Sequence, residues 1–173
     1  MSKYVSLTAI GKDKPGIVGA ITKVLYELNC NIEDSTMTIL YGQFAMILII
    51  KLPAKFSQKT LSSKLAKLSG LSFSYSKLSS VTDKKTKKQN AFVISVYGAD
   101  KPGIVYKVSE FLAGKKINIT DVQTMASKKT YIMLIEAQFP NALSELKVSK
   151  ELSALAASLG VTVSLNKAEL SRI

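Results

Sequence analysis

The sequence contains no histidine and no tryptophan, and its 173 residues include one cysteine, Cys30, and one arginine, Arg172. Without histidine, the chain lacks the usual general base and the most common metal ligand of enzymes. A single cysteine cannot form an intrachain disulfide, and no phosphate-binding loop of the GxxxxGK type occurs. We therefore expect no catalytic residue, no metal site and no cofactor.

Long hydrophobic runs are also missing, since the longest apolar run covers only residues 44–50. A run of that length is typical of a buried strand and too short for a membrane span. The N-terminal residues enter an alternating pattern without a signal-peptide core. Apolar residues make up 47% of the chain, enough for a packed core. These features predict a globular, cytoplasmic protein without a membrane partner.

Positive charge is abundant, with a net charge of +12, and is densest in the Lys-Lys-Thr-Lys-Lys run at 84–88. We interpret this run as a solvated linker, and contact with a polyanion is the alternative. Arginine makes most of the bidentate contacts that read bases, and Arg172 is the only one. Direct binding of nucleic acid is therefore not expected.

An internal repeat organises the chain. The sequence Gly-Lys-Asp-Lys-Pro-Gly-Ile-Val at 11–18 recurs as Gly-Ala-Asp-Lys-Pro-Gly-Ile-Val at 98–105, an offset of 87 residues. The same offset relates Asn31 to Asn118, and later positions match at an offset of 90. A motif of this length kept in phase indicates two homologous units.

Each repeat has the hydrophobic pattern of a βαββαβ unit. Each repeat begins with the period-two alternation of a strand and continues with an apolar helical face. Two strands joined by a tight turn, a helix ended by glycine and a last strand follow. Right-handed crossovers then place both helices on one face of a four-stranded antiparallel sheet. We predict an α+β protein of two ferredoxin-like domains at 4–78 and 91–167, with a Lys-rich linker at 79–90 and a C-terminal tail at 168–173.

The Asp-Lys-Pro-Gly turn joins the first strand to the first helix. With Asp13 as the N-cap, Pro15 is the second helical residue, and the Asp13 carboxylate accepts a hydrogen bond from the Gly16 N–H. Such a start serves any helix. It also exposes N–H groups at the positive end of the helix dipole, where a ligand carboxylate or phosphate can approach Gly16 closely. The residues alone leave both interpretations open.

Asn31 and Asn118 start the strand that follows the helix, and we expect them close to the turn. Their amides can hold the carboxylate or ammonium group of a ligand, or they can cap the preceding helix. Cys30 lies beside the helix end and has Ile117 as its counterpart, so we interpret it as a small buried hydrophobic residue.

The repeated turn, the Asn-Ile strand start and the βαββαβ order together resemble the ACT domain family. The resemblance covers nearly the whole chain and is closest to the tandem ACT repressors of the glycine cleavage system. It implies regulation by an amino acid bound between ACT units, with glycine as one candidate. It also implies a homo-oligomer formed through ACT packing, and control of transcription through a protein partner that is a transcription factor.

In the family, the ligand lies between the first turn of one unit and the start of the second strand in a neighbouring unit. Carried over residue by residue, this implies a ligand-binding set repeated in the two units, namely Asp13, Gly16, Ile17 and Asn31, and Asp100, Gly103, Ile104 and Asn118. The resemblance does not account for the surplus of lysines.

Two other functions are known for βαββαβ units. RNA-recognition modules stack bases on aromatic residues of the central strands, where this chain has Phe44 and Tyr131 among aliphatic residues and no basic-aromatic motif of that kind. Hydrolases of the acylphosphatase type need an arginine in the first turn, and neither 12–15 nor 99–102 contains one. The prediction is thus a ligand-sensing regulator, and the alternative is a nucleic-acid-binding module that uses its basic surface.

The linker interpretation leads to a stability prediction. Changing the four lysines of 84–88 to serine should move the melting temperature by no more than about two degrees, because solvated surface residues contribute under ~0.5 kcal/mol. Differential scanning calorimetry measures this directly. A fall of about ten degrees would show that the run is part of the folded structure.

Overall fold

The computed structural model describes residues 4–78, 90–127 and 130–168. The chain divides into two compact units, one in each half. Of the predicted linker at 79–90 only Asn90 is described, and of the predicted tail at 168–173 only Ala168. Both segments otherwise lie outside the described residues, so the domain boundaries remain predictions. No helix in the described part of the chain has the length and apolarity to cross a membrane.

The two units have the same order of elements. Unit 1 consists of β1 (Tyr4–Lys12), α1 (Ile17–Glu27), β2 (Asn31–Leu40), β3 (Gln43–Lys51), α2 (Gln58–Leu65) and β4 (Leu71–Leu78). Unit 2 consists of β5 (Ala91–Gly98), α3 (Ile104–Gly114), β6 (Asn118–Ser127), β7 (Thr130–Gln138), α4 (Glu145–Leu159) and β8 (Val161–Lys167). The antiparallel sheets have the orders β2-β3-β1-β4 and β6-β7-β5-β8. The predicted pair of βαββαβ folds is confirmed.

Burial of one sheet face against both helices holds each unit together. Alternate residues of the two central strands are buried in unit 1, and so is one stripe of each helix. In unit 2 the corresponding strands and helices form a second core. Each fully buried aliphatic side chain contributes about 1.5–3 kcal/mol. The fully buried side chains of unit 1 include Leu7, Ile21, Leu25, Leu48, Leu61 and Leu65.

The strands β2 and β6 form the outer edge of each sheet and are exposed along most of their length. Each carries a β-bulge at the same place, between Ile32 and Asp34 in β2 and between Ile119 and Asp121 in β6. Bulges bend a strand and redirect its side chains, and they are common at sheet edges and beside binding sites. The repeat therefore preserves an irregular, open edge in both units.

The second helix ends differently in the two units. Gly160 is the C-cap of α4 with φ 70°, as the sequence indicates. In unit 1 the glycine that the sequence places at the end of the second helix is Gly70, and the prediction that it caps the helix is wrong, because α2 ends at Leu65 with Ala66 as its C-cap. The chain then forms a tighter turn, in which Leu68 N–H donates to Leu65 O at 2.9 Å, three residues earlier. Gly70 lies farther along, in the turn before β4, with φ 81°.

An ion pair joins the two helices of each unit, and the positions of its positive and negative residues are exchanged between the units. Lys64 Nζ of α2 lies 2.6 Å from Glu27 Oε2 of α1, whereas in unit 2 Lys115 pairs with Glu151 of α4. Residue 151 is the counterpart of residue 64 at the 87-residue offset. The hydrogen bond from Lys64 lowers the pKa of Glu27. Exposed pairs of this kind contribute little stability, so the helices are held mainly by their apolar contacts.

Close packing at Gly11 leads to a test of the sheet register. A Cβ atom at Gly11 would lie 2.2 Å from the backbone oxygen of Gly70, so Gly11→Ala forces β1 and β4 apart. We expect a loss of about 1–3 kcal/mol in the free energy of unfolding, the usual cost of overpacking. Urea denaturation of the full chain measures this loss.

Gly19 in α1 provides the matched control, because a Cβ atom there meets no other atom within 4 Å. Gly19→Ala should raise the free energy of unfolding by about 0.5–1 kcal/mol, since alanine is the better helix former. If both substitutions changed stability in the same direction by the same amount, the close approach of Gly11 to Gly70 would be refuted.

Candidate ligand-binding site at the first turn

The turn after β1 enters the helix through a left-handed glycine. Gly16 is the N-cap of α1 with φ 88°, and Gly103 is the N-cap of α3 with φ 95°. The prediction that Asp13 is the N-cap is therefore wrong. Instead, the backbone N–H of Asp13 donates to Gly42 O at 2.8 Å and ties this turn to the β2–β3 turn. A positive φ costs glycine little, so the chain can rotate into the helix one residue after Pro15.

The start of α1 has free capacity for an anion. Gly16 has no side chain to cap the first turn, and that turn contains no acidic residue. The first intrahelical bond runs from Ala20 N–H to Gly16 O at 2.9 Å, so the preceding N–H groups have no helical partner. These groups form the positive end of the helix dipole and favour a carboxylate or phosphate. In α3 Gly103 starts the helix in the same way.

A groove of about 270 Å³ lies beside Gly16, between the turn and the segment that joins α2 to β4. Lys14 and Lys67 both line this groove, and Lys14 Nζ donates to Ser69 O at 3.3 Å. The remaining lining residues are Pro15, Gly16, Ile17, Ala20, Leu68, Ser69 and Leu71. The groove thus combines two ammonium groups with an uncapped helix start, an arrangement suited to a carboxylate.

Unit 2 repeats only part of this arrangement. Lys101, the counterpart of Lys14, donates to Leu159 O at 3.3 Å. The counterpart of Lys67 at the 90-residue offset is Ala157, which has no charge. The sequence does not predict Lys67 and Ser69 at this site, because the turn motif does not specify which distant segment packs against it. The lysine-to-carbonyl contact is common to both units, whereas the second lysine is particular to unit 1.

The predicted turn residues differ in how accessible they are to a ligand. Asp13 and Asp100 are exposed, and so are Gly16 and Gly103. Ile17 and Ile104 are only 4% and 2% exposed, because their side chains lie in the two cores. Only the backbone N–H groups of these two isoleucines are therefore available to a ligand.

Asn31 lies at the opposite end of its sheet from Gly16. Asn31 pairs with Lys51, which in turn pairs with Tyr4 at the start of β1. The turn follows Lys12, which is about 26 Å from Tyr4 along an extended strand. The expectation that Asn31 and Asn118 lie close to the turn of their own unit is thus wrong. The physical reason is that the first helix runs back along the sheet and returns the chain to the start of the first strand.

The surroundings of Asn31 are polar and accessible. Its Nδ2 donates to Glu33 Oε1 at 3.1 Å, and Glu33 lies within the bulge of β2. Asn118 is exposed at the same position of β6. In the bulge of β6, Thr120 Oγ1 donates to Glu136 O at 3.2 Å. Each asparagine therefore lies on an open edge, where a second molecule can reach it.

Cys30 precedes Asn31 and is half-buried. Burial raises the pKa of its thiol, and its Sγ donates to Leu28 O at 3.8 Å. A thiol with a raised pKa stays protonated near neutral pH and is a poor nucleophile. Its surroundings agree with the interpretation of Cys30 as a packing residue.

Comparison with known proteins identifies the family. The model of the ACT domain matches residues 3–72 and 90–166, one match in each unit. A UPF0237 protein of Methanocaldococcus jannaschii is 44% identical over 68 residues, covering 39% of this chain and 74% of that protein. The glycine cleavage system transcriptional repressor of Escherichia coli is 43% identical over 47 residues, covering 27% of this chain and 25% of the repressor.

A UPF0237 protein of Methanopyrus kandleri is 50% identical over 46 residues, which are 27% of this chain and 51% of that protein. The chain thus spans about half of the M. kandleri protein and a quarter of the E. coli repressor.

Among the solved structures that match, two cover 98% of this chain. A protein of unknown function from Galdieria sulphuraria has a TM-score of 0.79 and 28% identity, with 98% of this chain and 100% of that chain covered. A candidate glycine cleavage system transcriptional repressor has a TM-score of 0.65 and 22% identity, with 98% and 99% covered. This second likeness shows the fold. With both halves matched by the same family model, the chain belongs to the ACT domain family and contains two ACT units in tandem.

Proposed function

We propose that this protein is a cytoplasmic regulator that binds an amino acid at a composite site between ACT units and controls transcription through a protein partner. The observation that carries the proposal is the groove beside Gly16, where an uncapped helix start and two lysines surround a space of about 270 Å³. An amino-acid carboxylate satisfies these donors. The family membership and the sequence relation to the E. coli repressor support a regulatory role.

The site is completed by a second copy of the chain. Asn31 lies too far from Gly16 to contact the same ligand within one unit, and β2 presents an open sheet edge. If two β2 edges pair antiparallel, the start of one strand meets the end of the other. The end of β2 adjoins the β2–β3 turn, which the Asp13 N–H to Gly42 O bond ties to the ligand groove. Asn31 of one copy is thereby brought to the end of the sheet at which the other copy's Gly16 turn lies.

The ligand is small in this proposal, and glycine is the first candidate. The carboxylate binds the N–H groups after Gly16 and the ammonium groups of Lys14 and Lys67, while the Asn31 amide binds the other end of the ligand. The candidate partner is a transcription factor. The alternative function is direct binding of nucleic acid. Only the basic surface supports this alternative, because the sequence contains a single arginine for contacts with bases.

A thermal-shift screen of the twenty amino acids against the full chain identifies the ligand. An amino acid at 100 times its dissociation constant should add about 2.7 kcal/mol of stability. Asn31→Ala should then weaken binding by about 1–3 kcal/mol, because the ligand loses a hydrogen bond in a desolvated site. Isothermal titration calorimetry on the parent and the variant measures the difference.

Two further variants separate binding from folding. Gly16→Ala places a methyl group at the closest approach of the ligand. Since its Cβ meets no atom within 4 Å, the fold pays only about 1 kcal/mol for the left-handed conformation. Ser76→Ala, on the opposite sheet edge, is the control and should bind like the parent. Equal affinity of the parent, Asn31→Ala and Gly16→Ala for the same amino acid would place the site elsewhere.

A further inference from the structure

Unit 1 contains a second cavity, far from the ligand groove. Its volume is about 180 Å³, and it lies between the start of β1, the end of β4 and the segment from β3 to α2. The lining residues are Val5, Leu52, Phe56, Gln58, Leu61, Tyr75 and Lys77. Val5 pairs with Lys77, whereas Gly11, at the groove end of β1, pairs with Leu71. The cavity is therefore separate from the proposed amino-acid site and shares none of its residues.

The walls of this cavity are apolar and its rim is polar. Val5 and Leu61 are buried, and Leu52, Phe56 and Tyr75 are half-buried. Gln58 and Lys77 are exposed at the opening. An apolar cavity of about 150 Å³ is large enough to bind benzene, so this one has room for an aromatic ring. Its chemistry is that of a site for a molecule with an apolar body and one polar end.

Unit 2 shows that this position in the fold accepts aromatic rings. Phe92 and Phe139, the counterparts of Val5 and Leu52, are buried with ring centroids 4.2 Å apart. Ile50, which pairs with Val5, is larger than its counterpart Ala137 and offsets part of the lost volume. The cavity persists in unit 1 despite this offset. Side chains of unit 2 thus fill a space that remains open in unit 1.

The rim of the cavity favours a negative charge. Helix α2 begins at Gln58, and its first turn contains no acidic residue. The counterpart of Gln58 is Glu145, at the start of α4. Lys77 stands on the other side of the opening, and no ion pair joins it to another described residue. A ligand carboxylate at this opening meets an ammonium group and the positive end of a helix dipole.

From this combination of walls and rim we propose that the second cavity binds a small aryl carboxylate. The ring lies among Leu52, Phe56 and Tyr75, and the carboxylate lies between Lys77 and the start of α2. At the equivalent place in unit 2, Phe92 and Phe139 occupy the space and Glu145 repels the anion. The protein then senses two ligand classes at two places in unit 1.

The test uses 3-phenylpropionate as the probe and the full chain as the protein. Isothermal titration calorimetry should show saturable binding to the parent. Leu52→Phe introduces the ring that unit 2 carries at Phe139, and it should weaken binding by at least about tenfold by filling the cavity. Phe139→Leu in unit 2 is the matched control and should leave the affinity unchanged. Circular dichroism confirms that each variant is folded.

A second substitution examines the charge at the rim. Gln58→Glu, which introduces the residue of unit 2, should weaken binding of 3-phenylpropionate about two- to fivefold while leaving the neutral 3-phenylpropanol unaffected. Because Gln58 is exposed, this variant remains informative if Leu52→Phe does not fold. Absence of binding to the parent, or equal binding of 3-phenylpropionate by the parent and Gln58→Glu, would overturn the proposal. Neither result bears on the amino-acid site, which Gly16 and Asn31 variants test separately.

Discussion

The burial of one sheet face beneath two helices is the constraint on which the rest of each unit depends. Because α1 must cover the central strands, it runs back along the sheet from the end of β1. This path places the turn with Gly16 at one end of the sheet and Asn31 at the other. It also leaves β2 at an edge, covered by neither helix. Packing thus separates the two halves of the proposed site and makes a partner necessary for its completion.

Electrostatics determine what the turn can hold. The left-handed glycine is a helix start without a side-chain cap, which leaves N–H groups for an external acceptor. In unit 1 Lys14 and Lys67 add positive charge beside them, whereas of their counterparts in unit 2, Lys101 and Ala157, the first alone is charged. The two units therefore have the same backbone conformation at the helix start but differ in the charge beside it. In this account unit 1 is the stronger carboxylate site.

The sequence alone predicts the fold well because the repeat and its alternation are local signals. The period-two pattern of β1 and the helical stripe of α1 depend only on neighbouring residues, and both are confirmed. The sequence does not distinguish the N-cap of α1, because Asp13 and Gly16 are both good cap residues and the bond from Asp13 N–H to Gly42 O depends on a distant turn. The separation of Asn31 from the turn follows from the predicted βαββαβ order itself, because β1 and β2 both run antiparallel to β3 and therefore start at the same end of the sheet.

Divergence between the units is as informative as their repetition. The turn, the bulge and the lysine-to-carbonyl contact are common to both, so these features belong to the unit that the chain repeats. The polarity of the ion pair that joins the helices is reversed between the units. The second cavity of unit 1 is open, whereas Phe92 and Phe139 fill the equivalent space in unit 2. These differences allow each unit a separate role within one chain.

The central claim is that one copy supplies the turn and another supplies the asparagine. Mixing tests it most directly. A chain with Asn31→Ala and Asn118→Ala is unfolded and refolded together with a chain carrying Gly16→Ala and Gly103→Ala, and binding of the amino acid found in the screen is measured by calorimetry. Each variant alone should bind weakly. The equimolar mixture should regain about a quarter of the parental sites, because about half of the dimers are mixed and half of the sites in a mixed dimer are intact. A mixture that binds no better than the separate variants would contradict the account.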